Sequence, residues 1–489
     1  MSINVITMVL NLSLIKKIPI FVGLAVLCLV SPALSADSKK SIDKLKLVWI
    51  AHDASISLAR VSKKYTELTG IEIEVIMLPY GPDWHSRIAA EFAAGGDGFD
   101  LAVWDNQSVA EFVHGNHIEQ LNSYVEKSNL LSFSDIDENS LKRYAEYPEG
   151  SNDMWAIPIN QDAIGLMYRK DLFESLVERK KFYRKYGYPL ELPKTYDELR
   201  DIAEFFTRPE EGLYGWGQFA AEEYDFASSA ANNFIWSYGG ELWNHKTNEI
   251  VGYLDSPASV DGLTRYIEMF DFTPDKERSW GYLETSEAFK QGNLAMAMQW
   301  YVLFDEMHDI NKSKYAASTG FANLPGAVGR DNLFRRQIML GGQGVGINRY
   351  SHKREQAWQF IEWFMQKSQQ VEYTKTAKTT LKSILSGPNW HTQNPENKLF
   401  SEALNYVNDY WNLPEYIKLL EIYQQEITSA ILGRKSPKLA LSMAARRQEL
   451  VLIKAGYKIT RTKNIPEVPD EIVDPVGRKL KDINQVVSS

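Results

Sequence analysis

The sequence predicts an α/β fold built around a parallel sheet, and the pattern between Lys44 and Asp105 is the main reason. Three apolar stretches there, KLKLVWIA, IEIEVIML and FDLAVWD, are typical of buried strands. Two amphipathic stretches between them, SISLARVSKKYTELTG and DWHSRIAAEFAAG, are typical of helices. Alternating strands and helices require crossover connections, which favour parallel strands with helices on the faces of the sheet.

Each predicted element has its own signal. The first helix places Leu58, Val61, Tyr65 and Leu68 on one face and ends at Gly70. Further elements follow the same two periodicities, with helices predicted at residues 193–206, 228–240, 353–366 and 436–453, and strands at residues 293–300 and 344–350. Beyond about residue 456 the chain is polar and rich in proline and charge, so no packed structure is predicted there.

Length and charge restrict the class of protein. A chain of 489 residues with 44% hydrophobic and 24% charged residues exceeds what one core usually serves, so two domains are expected. The formal net charge is -9, and no run of basic residues interrupts the acidic balance. Nucleic acid is therefore not an expected partner.

Residues 1–36 have the parts of a secretory signal peptide: a lysine pair, the apolar run IPIFVGLAVLCLV and the small-residue stretch SPALSA. That run is shorter than the roughly 20 residues of a bilayer span, and cleavage is expected near Ala36. A start at Met8 and a leader that stays attached are the alternatives. Cys28, the single cysteine, follows Leu27 rather than the Gly or Ala of a lipoprotein signal, so a cysteine-free periplasmic protein without lipid is expected.

Several polar and aromatic residues follow the predicted strands. Ligands of open α/β sheets bind at the carboxyl ends of the strands, where this sequence places Asp53, Tyr80, Trp104 and Asp105. Trp300 ends a later apolar run in the same way. An aromatic ring stacks on the apolar face of a sugar while a carboxylate accepts its hydroxyl groups, so this combination is typical of carbohydrate recognition.

Other kinds of site are not supported by the motifs. The stretch GGQGVG lacks both the spacing of a dinucleotide loop and the lysine of a phosphate loop. Its first glycines, Gly341 and Gly342, are expected either to let a ligand approach the backbone or to form a plain turn. His114 and His117 have no third ligand at a helical offset, and no G-x-S-x-G motif is present. No cofactor and no metal ion are expected.

Asp162 lies in the otherwise apolar stretch AIPINQDAIGLMYRKDLF. An ionised side chain in an apolar setting costs several kcal/mol unless it is paired or hydrogen-bonded. Either a residue of this protein, such as Arg169 or Lys170, or a ligand from outside must satisfy it. The sequence leaves both possibilities open.

Five motifs in this order resemble the extracellular solute-binding proteins of ABC importers, in particular the sugar-binding group with maltose- and trehalose-binding proteins. The motifs are YTELTGIEIEVIML, FDLAVWDNQSVAEFVHGNHIEQL, WAIPINQDAIGLMYRKDLF with PKTYDEL, FKQGNLAMAMQW, and LGGQGVGI before AWQFIEWF. They span about 300 residues. The resemblance implies a protein that captures a carbohydrate and delivers it to permease subunits in the inner membrane, without catalysis and as a monomer.

The family fold has two α/β lobes, a ligand cleft between them and crossing hinge segments. The resemblance implies a first lobe of residues 37–157 with about 310–375, and a second lobe of residues 158–309 with about 376–456. Residues 457–489 form the predicted tail. Closure of the hinge on the ligand would produce the form that the permease recognises. The rival interpretation is a glycosidase that uses paired carboxylates in the cleft.

The family's ligand-binding positions fall on Asp105, Asp162, Trp300, Gly341 and Gly342. Two positions that carry an aromatic residue in relatives are Asn160 and Gln343 here, which leaves the identity of the sugar open. The resemblance is fainter around Trp411. The complete set of predicted ligand-binding residues is Asp53, Tyr80, Trp104, Asp105, Asn160, Asp162, Trp300, Tyr301, Gly341, Gly342 and Trp411.

Overall fold

The strands form a mixed sheet whose two longest members lie side by side at its centre. This computed structural model describes residues 43–79, 82–128 and 133–463. The predicted leader with Cys28, Tyr80 and the tail from residue 464 lie outside the described residues. The strands are β1 (Lys44–Ile50), β2 (Glu72–Leu78), β3 (Leu101–Asp105), β4 (Ile157–Arg169), β5 (Met296–Trp300), β6 (Thr319–Asn323), β7 (Ala327–Val328), β8 (Phe334–Arg335), β9 (Ile338–Ile347) and β10 (Val407–Asn408).

This sheet has the order β2-β1-β3-β9-β4-β5, with β6 also beside β4 and β10 beside β9, whereas β7 and β8 form a separate two-stranded sheet. The strands β2, β1 and β3 are parallel, whereas β9 runs antiparallel to both β3 and β4. The first half of β4 pairs with β9, and its second half lies between β5 and β6. Strands β4 and β9 therefore join two groups of strands.

The helices cover the faces and edges of this sheet. They are α1 (Asp53–Thr69), α2 (Pro82–Ala93), α3 (Val109–His114), α4 (Asn122–Lys127), α5 (Glu138–Ser140), α6 (Lys170–Glu174), α7 (Leu176–Tyr186), α8 (Tyr196–Phe206), α9 (Phe226–Ser237), α10 (Pro257–Glu268), α11 (Tyr282–Gln291), α12 (Asp305–His308), α13 (Arg354–Phe364), α14 (Lys367–Tyr373), α15 (Lys382–Leu385), α16 (Pro388–His391), α17 (Asn397–Ala403), α18 (Tyr416–Ile431) and α19 (Pro437–Lys454). No helix in the described ranges is long and apolar enough to cross a membrane.

The α/β prediction for the first part of the chain is confirmed. Helix α1 begins where His52 accepts a hydrogen bond from the backbone N–H of Ser55, and it ends at Gly70. Leu58, Val61 and Tyr65 are buried as predicted, but Leu68 is 65% exposed because it lies in the last turn, beyond the edge of the core. The helix predicted at residues 436–453 is also confirmed as α19, and Ser436 caps it by accepting from the N–H of Leu439.

The stretch GGQGVG lies inside β9 and is neither a turn nor a nucleotide loop. Strand β9 begins at Ile338, six residues before the predicted strand, because it is paired on both sides. Glycine is required where large rings contact this backbone: a Cβ on Gly346 would lie 2.0 Å from the Trp104 ring. The lobe boundaries stay a prediction.

Candidate ligand-binding site

A partly open cavity of about 230 Å³ lies where β1, β3 and β5 end and beside the paired strands β4 and β9. Seven of the predicted site residues line it: Asp53, Asp105, Asn160, Asp162, Trp300, Gly341 and Gly342. The prediction that strand ends meet at one place therefore agrees with the geometry. Whether these residues bind a ligand stays a prediction.

Three predicted residues do not face the cavity. Trp104 is buried against Phe112 with ring centroids 5.3 Å apart, because neighbouring residues of a strand point to opposite faces and Asp105 takes the cavity side. Tyr301 is buried on the far side of β4, where its hydroxyl donates to Asn323 Oδ1 at 2.8 Å. Trp411 packs edge-on against a tyrosine of α18, with ring centroids 5.8 Å apart. Their placement corrects the expectation that each ring reaches the cavity.

Asp105 belongs to a row of polar side chains that crosses three strands. Its neighbour in register on β9 is Gln343, which in turn lies opposite Asn160 on β4. Asn160 Nδ2 donates to Gln343 Oε1 at 2.8 Å, and Gln343 Nε2 donates to Asp105 Oδ1 at 3.0 Å. The Tyr224 hydroxyl donates to Asp105 Oδ2 at 2.6 Å. Burial raises the pKa of Asp105, and the hydrogen bonds from Tyr224 and Gln343 oppose that rise.

Asp162 is held by backbone N–H groups rather than by a cation. Its Oδ1 accepts from the N–H of Ala163 at 2.8 Å and from that of Val302 at 3.2 Å. Arg169 instead forms an ion pair with Asp171 at 2.6 Å. Within the described ranges no Lys, Arg or His nitrogen lies within 4.0 Å of the Asp162 carboxylate. Burial raises the pKa of Asp162 to about 7.

The backbone of β9 forms the floor of the cavity beside Trp300. A Cβ on Gly341 would lie 2.6 Å from the Trp300 ring, so only glycine lets this ring lie against the strand. Gly342 has φ of 139°, and a Cβ there would lie 2.6 Å from the carbonyl oxygen of Asn160. The half-buried Trp300 side chain thus presents its remaining surface to the cavity.

Residues that the sequence did not single out also line the cavity. Asp225 precedes α9, where an acidic residue is expected to cap the helix, but its side chain makes no capping hydrogen bond. Its pKa is raised to about 8 by burial and by the nearby carboxylates of Asp105 and Asp409. Glu306 pairs with Lys312 at 2.9 Å and with Lys290 at 3.4 Å.

His52 lines the cavity as a neutral side chain. Burial lowers its pKa to about 4, and its Nδ1 accepts from the N–H of Ser55 at 3.1 Å. The sequence alone does not reveal the role of such a histidine, because its capping of α1 and its burial both depend on the tertiary fold. Among the described residues no group of three or more His, Cys, Asp or Glu side chains is arranged to hold a metal ion.

Strands β4 and β9 join the two groups of strands, and the polar cavity lies beside them. The chain belongs to the bacterial extracellular solute-binding proteins, since a sequence model of that family matches residues 53–371. The expected two-lobed α/β fold class is confirmed by solved structures. A solute-binding protein of Agrobacterium radiobacter K84 in complex with ribitol superposes with a TM-score of 0.72 at 22% identity, covering 84% of this chain and 99% of that one.

Two curated relatives are similar in sequence. The maltotriose-binding protein of Pyrococcus abyssi is 21% identical over 291 residues, which cover 59% of this chain and 55% of the relative. The erythritol/L-threitol-binding protein of Mycolicibacterium smegmatis is 23% identical over 342 residues, which cover 66% of this chain and 67% of the relative. The matched segment thus spans little more than half of the first relative.

Proposed function

We propose that the protein is the solute-binding component of an ABC importer and that it captures a sugar or polyol in this cavity. The observation that carries the proposal is the meeting of Asp105, Asp162 and Trp300 at one cavity of a solute-binding fold. A hydrogen bond from a hydroxyl to a buried carboxylate contributes about 1.5–3 kcal/mol, and stacking on an aromatic ring adds about 0.5–1.5 kcal/mol. The relatives named for maltotriose and for erythritol support the same class of ligand.

The capture step is closure of a hinge. Asp105 ends β3 and Trp300 ends β5, so a ligand that contacts both side chains connects the two groups of strands. Strands β4 and β9 join the two groups of strands, and the proposed movement occurs about these two strands. A ligand shifts the population toward the closed form only through contacts that exist in that form, and this bridging contact is one. The closed protein then delivers the solute to the membrane permease.

The proposed function is tested by a thermal-shift screen of sugars and polyols, followed by calorimetric titration of the best one. A ligand at 100 times its Kd adds about 2.7 kcal/mol to the free energy of unfolding, which is a clear rise in Tm. No shift with any carbohydrate would contradict the proposal.

The rival proposal, a glycosidase, is separated by product analysis. Two cleft carboxylates at roughly 5–10 Å are also the equipment of glycoside hydrolysis. We expect tight stoichiometric binding and no new products when the pure protein is incubated with an oligosaccharide panel and the mixture is separated by chromatography. Turnover would show that the carboxylates act as acid and base, and it would contradict the proposal that the protein only binds its solute.

Export is a further part of the proposal. A protein that hands its solute to an inner-membrane permease must reach the periplasm, and the leader at residues 1–36 has the parts that direct this. We expect mass spectrometry of the exported protein to give a chain that begins at or near Ala36 or Asp37. A diacylglyceryl mass on Cys28 would overturn the absence of a lipid.

A further inference from the structure

The ionisable side chains that line the cavity are almost all acidic. Five carboxylates face it, and they belong to Asp53, Asp105, Asp162, Asp225 and Glu306. Among its described lining residues there is no Lys and no Arg, and the one histidine is neutral because burial lowers its pKa to about 4. Neutral sugars require hydrogen-bond acceptors, but they do not require so many acidic groups.

Three of these five carboxylates have partners, and Asp53 is partly exposed to solvent. Glu306 is paired with two lysines. Asp105 accepts hydrogen bonds from a tyrosine and a glutamine, and Asp162 accepts them from backbone N–H groups. The structure therefore accounts for these charges without a ligand.

Asp225 is different, because it is only 8% exposed and yet lacks such partners. In the part of the chain that the structure describes, its own backbone N–H is the only group that stabilises the ionised form, and no Lys, Arg or His nitrogen lies within 4.0 Å. The charged groups nearest to it are the carboxylates of Asp105 and Asp409, which have the same sign. Tyr410 and Tyr416 also lie close enough to interact with it electrostatically. A buried carboxyl group without such partners keeps its proton, and a cation that arrives can take the place of that proton.

Resting on the proposed function, we propose that the solute is a polyhydroxylated amine, such as an amino sugar or an amino alditol, and that Asp225 together with Asp105 binds its ammonium group. The remaining hydroxyl groups bind Asp162 and Asn160, and Trp300 contacts the carbon skeleton. A metal ion is the weaker occupant, because no group of three ligating side chains is assembled among the described residues.

Matched pairs of neutral and cationic solutes test this proposal by calorimetric titration. The pairs are glucitol with glucamine and glucose with glucosamine, and N-acetylglucosamine supplies the same nitrogen without charge. We expect the amine of at least one pair to bind about 10- to 100-fold more tightly than its neutral partner at pH 7. We also expect acetylation to remove the gain and an increase from 50 to 200 mM salt to reduce it.

A pair of variants assigns the effect to Asp225. We expect Asp225→Asn, which keeps the shape of the side chain, to bring the amine preference below about threefold. The control is Asp97→Asn, because that side chain is 66% exposed and lies outside the cavity. Melting curves confirm that both variants are folded, and the comparison of glucosamine with its N-acetyl form does not depend on any variant.

The outcomes separate this inference from the proposed function. If neutral sugars or alditols bind as tightly as their amines, the inference is wrong and the proposed function stands. If no solute of either class binds, the proposed function fails and the inference fails with it. A preference for amines that survives in Asp225→Asn would overturn the assignment of the ammonium site to this residue.

Discussion

Asp105→Ala and Asp162→Ala each lower the affinity for the best ligand about 30- to 150-fold, which is about 2–3 kcal/mol of binding free energy. Each carboxylate faces the cavity and is bound by neutral donors only, so a ligand hydroxyl or ammonium group gains a strong acceptor there. Titration of the purified variants with the ligand found by thermal shift measures the loss. Asp97→Asn serves as the control outside the cavity.

Stability distinguishes binding from an internal structural role. Because Asp162 has no cation within 4.0 Å among the described residues, its removal leaves no unpaired positive charge. Asp162→Asn keeps an acceptor for the N–H groups of Ala163 and Val302, so its ligand-free Tm at pH 8 should equal or exceed that of the wild type. A ligand-free protein destabilised by about 3 kcal/mol with near-normal affinity would mean that Asp162 is a structural residue.

The ligand-free protein should lose at least about 3 kcal/mol of unfolding free energy between pH 6.5 and pH 9, since Asp162 and Asp225 ionise in the folded state over that range. Their folded pKa values, about 7 and about 8, lie above the usual value of 3.8. A carboxyl group with a raised folded pKa holds its proton more tightly in the folded chain. Its stabilising contribution is therefore complete at low pH and is lost as pH rises through the folded pKa.

The groups that face these two carboxyls support this direction. Asp105 and Asp409 raise the pKa of Asp225, whereas Lys378 and backbone N–H groups only partly oppose the effect of burial on Asp162. Asp225→Asn should remove about 2 kcal/mol of the loss, as measured by urea unfolding at pH 6.5 and pH 9. A wild-type protein whose stability is constant or rises over this range would contradict the prediction.

Local pattern was enough to predict the first part of the fold. Strands β1, β2 and β3 and helices α1 and α2 follow from runs that carry one periodicity each, because their burial depends on near neighbours in sequence. Strand β9 was predicted too short. Its glycine-rich first half becomes a strand only because β3 and β4 flank it, and this tertiary pairing leaves no periodic signal.

The site was predicted best where a residue contradicted its surroundings. Asp162 was predicted as a site residue because it is a carboxylate in an apolar run, and it lines the cavity. Asp225 was not predicted as a site residue, since an acidic residue before a helix is common. The prediction that Trp104 faces the cavity is wrong because adjacent side chains of a strand point to opposite faces of the sheet. Asp105 faces the cavity, so its neighbour Trp104 faces the core. Gln161 follows the same rule: it points away from the cavity and donates to Ser140 Oγ, while Asn160 and Asp162 face it.

The direct pairing of β4 with β9 beneath the cavity has a consequence for engineering a new specificity. Asn160 and Gln343 lie opposite each other in this ladder, so their side chains can be exchanged together while the main-chain hydrogen bonds that join the strands stay in place. Gly341 and Gly342 leave no such freedom, because a Cβ at either would meet Trp300 or the backbone of Asn160. A library restricted to positions 160 and 343 would therefore sample new solutes while leaving intact the strands on which the proposed lobe movement depends.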